Sequence, residues 1–386
     1  MKICMLWPYY DQYLDYFYKK NPKIMRLSFS EHRQEIFNDH FGWPADLAAY
    51  MRKKGIDVEF IIENAEVLQK QWAVENDFDN FNRINWKKKI VLAQIKKFQP
   101  DLLWISNPTA GSYKYIDGAS GNYKRLAFYL GHDISNKQLL LRADILFAIN
   151  KRYVCDTYPK LNNVVYMGVG FYPEILNKLK LVEKKRNVVF LGNITPSHSY
   201  RAEVLAYLVE NKVDIKIYGD IFEVTFLTKT RQIVGDIIKR KNFKSAFKNF
   251  KSFFTISTYR QHTDILKGRC LAPVFGMDYY RLLSSARVCI NVHIDLAENF
   301  SGNMRMFEVT GVGTCLVSEE KPTNKKIFEI DKEMIQFNSK EKLLELLKNM
   351  NKKKYCNTAL MSNISQERTL REYSIGRVFD RIKRHL

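Results

Sequence analysis

KKRNVVFLGNITPSHSYRAEVLAYLVENKVDIKIYGD, residues 184–220, reads as strand, turn, helix and strand. The apolar run NVVFL stops at Gly192, and a turn carrying hydroxyls follows. YRAEVLAYLVENK reads as a helix and VDIKIYGD as the next strand. Strand–helix–strand alternation predicts parallel strands joined by right-handed crossovers. Downstream, RVCINVH (287–293), TCLVSE (314–319) and MIQF (334–337) continue the series.

The first half repeats the pattern. Its apolar runs are KICMLW (2–7), DVEFII (57–62), DLLWIS (101–106), LAFYL (126–130), DILFAI (144–149) and NNVVYMG (162–168). Most are continuous, as strands covered on both faces should be. FGWPADLAAYMRKKG reads as a helix that ends at Gly55 and leads into a strand. The Lys-rich KLKLVEKKRN (178–187) separates the two series. The expected class is therefore α/β, with two Rossmann-like domains. Residues 1–175 form the first domain and 176–362 the second, which carries a basic insertion at 221–268. Residues 363–386 form a C-terminal helix packing back across the domains, with Ile375, Val378, Phe379, Ile382 and Leu386 at helical spacing. Tandem domains of this kind leave a cleft lined by strand carboxyl ends, where ligands bind.

The chain has 386 residues, which suits two domains. Its 46% hydrophobic and 27% charged composition excludes disordered, collagen-like and coiled-coil chains. A net charge of +21 favours anionic partners without speaking to fold. MKICMLWPYYDQYL lacks the long apolar core of a signal peptide, and no run reaches the ~18–20 apolar residues of a membrane span. Cys4, Cys155, Cys270, Cys289, Cys315 and Cys356 form no C-x-x-C pair and read as reduced core residues of a cytoplasmic protein.

NFSGNMRMFEVTGVGTCLVSEE (299–320) is the most informative stretch for function. Glu308 sits near the start of a short helix, before Gly311 and Gly313. Such a carboxylate can accept hydrogen bonds from the two vicinal hydroxyls of a ribose. Arg305, one turn earlier, can face a diphosphate, and helix amides add anion affinity. An exposed Glu and a surface Arg on a plain helix–turn–strand is the alternative.

N-x-R-x-F-E-x-x-x-x-G-T-x-L-V-x-E resembles the donor-binding signature of GT-B glycosyltransferases, in the CgeB-like branch of the group 1 superfamily. GMDYYRLLSSARVCINVH (276–293) and the stretch 188–220 are similar to the preceding segments of that branch. The resemblance covers most of 186–350 and the terminal helix. It implies two Rossmann-like domains in a GT-B arrangement with an interdomain cleft. The second domain would hold a nucleotide sugar and the first an acceptor. Glu308 inherits the ribose role, Arg305 a diphosphate or structural role, and Gly192, Arg201, Gly313 and Thr314 the rest of the donor site. Many relatives carry a second glutamate where this chain has Phe300, and Glu298 is out of register.

FLGNITPSHS (190–199) ends a strand at a glycine, which allows close phosphate approach; Ser197 and Ser199 are further candidates. LGHDISNK (130–137) places His132 and Asp133 after a strand, with His132 a candidate base. SNPTAG (106–111) offers Asn107 and Thr109, and residues 30–45 offer His40, to the acceptor side. A simple turn explains each as well. No cofactor and no metal are expected beyond the nucleotide-sugar co-substrate. Asp77 and Asp79 imitate a D-x-D by chance. From Lys229 to Lys251, eight Lys/Arg accompany one acid. Phe243, Phe247, Phe250 and Phe254 recur at helical spacing, which suits either an anionic membrane surface or an ordinary packed helix.

The function expected is sugar transfer to a glycan, lipid-linked or other envelope acceptor in a bacterial cytoplasm, peripheral to the inner membrane face. A nucleotide-sugar 2-epimerase and a non-catalytic basic binding protein are the rivals. No specific nucleic-acid motif occurs.

Overall fold

The computed structural model describes residues 1–131, 134, 137–158, 160–179, 185–223, 257–295, 299–350 and 357–386. His132, Asp133, Glu298, the run 229–251 and the Phe243–Phe254 stripe lie outside them.

The chain divides into two units. The first comprises Met1–Lys178, Phe275–Met277 and Thr369–Leu386. Its strands are β1 (Lys2–Trp7), β2 (Asp57–Ile62), β3 (Leu102–Ser106), β4 (Arg125–Leu130), β5 (Ile145–Ala148) and β6 (Val164–Tyr166). They pair in parallel in the order β2-β1-β3-β4-β5-β6. β3 is buried along its whole length, because helices cover both faces of the sheet. The helix Trp43–Lys53 starts with Pro44 in its first turn, where the missing N–H costs nothing. Gly55 follows at φ +80°.

The C-terminal stretch is two helices rather than one. Helix Thr358–Glu372 ends just before Ser374, and a second helix, Ile375–Ile382, buries Ile375, Val378, Phe379 and Ile382. That second helix lies on the Trp43 helix, with Phe379 against Tyr50 at 5.7 Å. Leu386 is only half-buried. Phe171 holds the entry to this helix by two backbone hydrogen bonds, to Tyr373 and Ile375.

The second unit comprises Leu179–Val274 and Asp278–Arg368. Its strands are β7 (Lys185–Leu191), β8 (Ile215–Tyr218), β9 (Cys270–Leu271), β10 (Ala286–Asn291), β11 (Cys315–Glu319) and β12 (Ile335–Phe337). They run parallel in the order β12-β11-β10-β7-β8-β9. Phe190, Ile217, Ile290, Val317 and Phe337 pack with Leu205 and Leu208 of helix Ser199–Glu210 in the core. The two-residue edge strand β9 has no counterpart among the sequence-read strands. The fold class is α/β, with two parallel six-stranded sheets. Chain order departs from β7 to β8 on one side and returns at β10 on the other, so the switch point lies between β7 and β10.

Candidate functional site

In parallel sheets of this type ligands bind outside the strand carboxyl ends at the switch point. In the second unit that place is built from the ends of β7, β10 and β11. Gly192 closes β7 at φ +147°, and its N–H donates to the Tyr218 carbonyl at the end of β8. Gly219 follows β8 at φ +154°, and a Cβ there would stand 2.2 Å from the Gly192 carbonyl oxygen. The missing side chain at Gly219 thus lets the two strand ends approach more closely than any other residue there permits, while Gly192 serves the turn by its positive φ.

Arg201, in the first turn of the Ser199 helix, donates to the Asn193 carbonyl at 2.6 Å and to the Val292 carbonyl at 2.7 Å through a second nitrogen. It ties the β7 loop to the β10 end. Burial first, and then the nearby Arg305 charge, pull its pKa down to about 10. In the loop before this helix, Thr195 Oγ1 lies 2.8 Å from both Ser197 Oγ and His198 Nδ1. The Ser199 amide and hydroxyl both donate to Asp295 Oδ2, at 2.8 and 2.6 Å.

His293 lies just past β10 and is 3% exposed. Its backbone N–H donates to Glu319 Oε2 at 2.9 Å, while its ring Nδ1 stands 3.7 Å from the same oxygen. Nδ1 thus stands at ion-pair distance from Glu319, while Nε2 has no hydrogen-bond partner among the described residues. Lys321 Nζ reaches Glu319 Oε1 at 2.5 Å. Burial pushes the Glu319 carboxyl upward, but the bonds from His293 and Lys321 outweigh it and hold the group below its ordinary value.

Helix Met304–Gly311 is capped by Asn303, whose Oδ1 accepts from the Met306 amide at 3.3 Å. Asn303 Nδ2 donates to Asn291 Oδ1, and Asn291 Nδ2 donates to Ser318 Oγ, each at 2.9 Å. This chain of amides fixes the helix start to β10 and β11. Glu308, on the second turn, accepts from Tyr279 Oη at 2.6 Å and pairs with Arg305 Nε at 3.5 Å, both at Oε2. Arg305 lies over the Tyr279 ring, 5.1 Å from its centre. Burial opposes the Arg305 charge, yet Tyr279 and Glu308 more than offset it and hold the guanidinium above its usual value. Burial pushes the adjacent Cys289 thiol up to about 12.

Gly192, Arg201, Arg305 and Glu308 therefore line this end of the second unit. Two expected donor residues do not face a ligand. Thr314 is fully buried, and its hydroxyl donates to the Leu283 carbonyl at 2.6 Å. Gly313, at φ +72°, makes the turn from helix to β11, with Gln366 packed against its Cα. Both close the interior rather than a binding surface. Phe300 is half-buried in the loop before Asn303.

The first unit places its candidates separately. Asn107 ends β3 at φ +36°, and its Oδ1 accepts from the Gly131 amide beyond β4 at 2.8 Å. Thr109 Oγ1 accepts from the Gly111 amide and caps a short turn. His40, expected on an acceptor surface, is instead turned inward. It is 7% exposed, at φ +52°, with Nδ1 2.7 Å from the buried Asp46 Oδ1. Asp77 and Asp79 sit exposed in the loop after helix Glu66–Glu75.

Tyr279, His293, Asp295, Glu319 and Lys321 are the site residues that sequence reasoning missed. His293 left a signal as a polar residue closing an apolar strand at the ligand end, and Glu319 as the last residue of the quoted signature, though neither was given a role.

Residues 203–384 match a family described as glycosyl transferase-like. No curated protein matches the chain significantly. Among solved structures, a glycosyltransferase from Rickettsia africae ESF-5 aligns over 100% of this chain and 97% of its own, at 11% identity and a TM-score of 0.56. Anabaena HepE in complex with UDP-glucose aligns over 100% and 99%, at 12% identity and a TM-score of 0.55. Sucrose-phosphate synthase from Thermosynechococcus elongatus aligns over 100% and 98%, at 9% identity and a TM-score of 0.54. At these identities the likeness is one of fold, the two-sheet fold of GT-B glycosyltransferases.

Proposed function

We propose that the chain is a metal-independent glycosyltransferase of the CgeB-like branch, moving a sugar from a nucleotide-activated donor to a glycan, lipid-linked or other envelope acceptor. The observation that carries this reading is the trio Tyr279, Arg305 and Glu308, inside the stretch that matches the glycosyl transferase-like family. Tyr279 and Arg305 both hold Glu308 Oε2, which leaves Oε1 to accept from ribose hydroxyls. Arg305, Arg201 and helix amides offset the charge of the departing diphosphate, the role a metal plays elsewhere. His132 and Asp133 are assigned to the acceptor side, where one of them receives the acceptor proton.

No helix among the described residues is long and apolar enough to cross a membrane. The basic, Phe-striped run 229–254 is assigned to an anionic lipid surface at the inner face, with the envelope acceptor nearby.

The test is a thermal-shift panel of nucleotides and nucleotide sugars, followed by transfer of labelled sugar to envelope acceptors. UDP-glucose is the first donor to try, because HepE was solved with it. A ligand bound only by the folded state raises the melting temperature. The expected result is a shift with one donor and transfer that needs an acceptor. A flat panel, or epimerised donor with no acceptor present, overturns the reading.

A further inference from the structure

The amino ends of the first sheet meet a cluster of arginines. Arg125 opens β4, and the last helix, Ile375–Ile382, and the turn after it carry Arg381, Arg384 and His385. With the start of β5 and the whole of β6 these residues line an open groove of about 910 Å³. That volume lies within the range of small-molecule sites. The groove belongs to the first unit, whereas Glu308 belongs to the second.

Basic residues often gather where a helix ends, because its last carbonyls carry partial negative charge. Here that task is met from β4: Arg125 donates to the Leu386 carbonyl and, at 2.9 Å, to the His385 carbonyl. Arg381 is held in another way. Its Nε donates to the Met167 carbonyl at 2.7 Å, and its guanidinium lies 5.8 Å from the centre of the Tyr166 ring. These contacts fix its plane, and its two terminal nitrogens make no hydrogen bond among the described residues. Burial, the largest influence on it, pulls its pKa down. A half-buried guanidinium is costly to keep unless an anion offsets it. Arg384 is exposed and donates to the neighbouring His385 ring at 3.2 Å. The acids of the groove are engaged elsewhere: Asp380 pairs with Lys383 at 2.9 Å, and Asp144 accepts from the Leu126 amide at 2.7 Å. The field is therefore positive. Burial first, then Arg384 and Arg125, hold the His385 ring below its ordinary value.

We propose that this groove is a second ligand site, taking a small molecule that carries phosphate. Three guanidinia and an imidazole match more than one negative charge, and a planar guanidinium bonds two oxygens of one phosphate at once. The groove has room for the rest of such a molecule, which meets Tyr166 and Asn162. A phosphate held by Arg381 and Arg384 on one side and Arg125 on the other pins the last helix to the start of β4. Binding therefore stabilises the first unit.

The experiment is a thermal-shift series followed by calorimetry on the full chain, with inorganic tripolyphosphate as the probe. The chains compared are wild type, Arg381→Gln/Arg384→Gln, Arg384→Glu and Lys19→Gln/Lys23→Gln. Lys19 and Lys23 are exposed residues of the same unit outside the groove, so their loss removes the same charge without touching it. Any probe bound in the second unit is common to all four chains. Tripolyphosphate is expected to raise the wild-type melting temperature. The double arginine variant is expected to bind at least about tenfold more weakly, and the lysine variant like wild type. Arg384→Glu changes an exposed side chain and leaves the Met167 contact of Arg381 in place, so it reads the site where the double variant folds poorly. It too should bind at least about tenfold more weakly. If the arginine and lysine variants lose affinity alike, the net charge of +21 holds the probe and the site falls. It falls also if wild type does not bind, or if Arg384→Glu binds like wild type. Capture of wild type by phosphatidylglycerol vesicles without any binding of tripolyphosphate makes the arginines a lipid-facing surface and overturns a small-molecule site.

Discussion

Tyr279 Oη donates to Glu308 Oε2 at 2.6 Å, across 29 residues of chain. Burial, with Glu308 adding to it and Arg305 opposing, holds the Tyr279 hydroxyl well above its ordinary range. The phenol therefore stays a proton donor at any pH the protein meets, and the carboxylate stays oriented. Both contacts fall on the same carboxylate oxygen, Oε2, from inside the unit.

Glu308→Gln keeps the size and removes the charge. Nucleotide affinity should fall by about 1.5–3 kcal/mol, the range for hydrogen bonds to charged groups. Tyr279→Phe should cost about 0.5–1.5 kcal/mol by freeing the carboxylate. The double variant should cost less than the sum, because both changes act on one contact. Calorimetry reads all three, and strict additivity would separate the two residues.

Gly219→Ala places a methyl 2.2 Å from the Gly192 carbonyl in a backbone region that alanine avoids. A loss of about 1–3 kcal/mol in urea unfolding is expected. Unchanged stability would mean that the β7 and β8 ends are free to part.

Arg201→Lys keeps the positive charge but cannot reach the Asn193 and Val292 carbonyls together. Stability should drop by roughly 1–3 kcal/mol as buried carbonyls lose their donor. Denaturant melts of the variant against wild type decide the matter.

His198 is held down to about 4, first by burial and then by Arg201. Its unfolded value is 6.5, so the unfolded chain takes the proton first as pH falls. The stability tied to this ring is complete above about pH 6.5 and is lost as pH drops toward about 4. His198→Gln should flatten the stability curve across that window and leave it unchanged at pH 8. A curve with the wild-type slope between pH 6.5 and 4 would contradict the assignment.

On the proposed function, basic side chains and helix amides meet the diphosphate in place of a metal, so transfer should survive EDTA. Loss of activity with chelator and its return with manganese would move attention to Asp77 and Asp79.

The strands were legible because both faces of each sheet are covered, which demands unbroken apolar runs such as LLWIS and RVCINVH. The end of the Met304 helix was legible from Gly311 and Gly313, but its start was not: Glu308 was read near the start and lies in the second turn. Thr314 misled, since a Gly-Thr pair beside a helix looks ligand-facing and only burial shows that its hydroxyl serves Leu283. The Tyr279–Glu308 and Ser199–Asp295 contacts were invisible, being single long-range pairings with no periodicity to betray them. His40 misled for the opposite reason to Thr314: its polar neighbours suggested a surface, while Asp46 waits for it inside.

The first unit draws its last helix, Ile375–Ile382, from beyond the whole second unit. During translation the Trp43 helix therefore emerges with its Tyr50 side uncovered. About 200 further residues separate Lys178 from the partner it awaits, a delay of about 10–40 s at roughly 5–20 residues per second. The unit made first is thus the one completed last. A nascent chain stalled between the two events presents an apolar face to whatever holds unfinished proteins at the ribosome, and a change that garbles residues 369–386 would damage the unit that holds Met1–Lys178 rather than the one next to it in sequence.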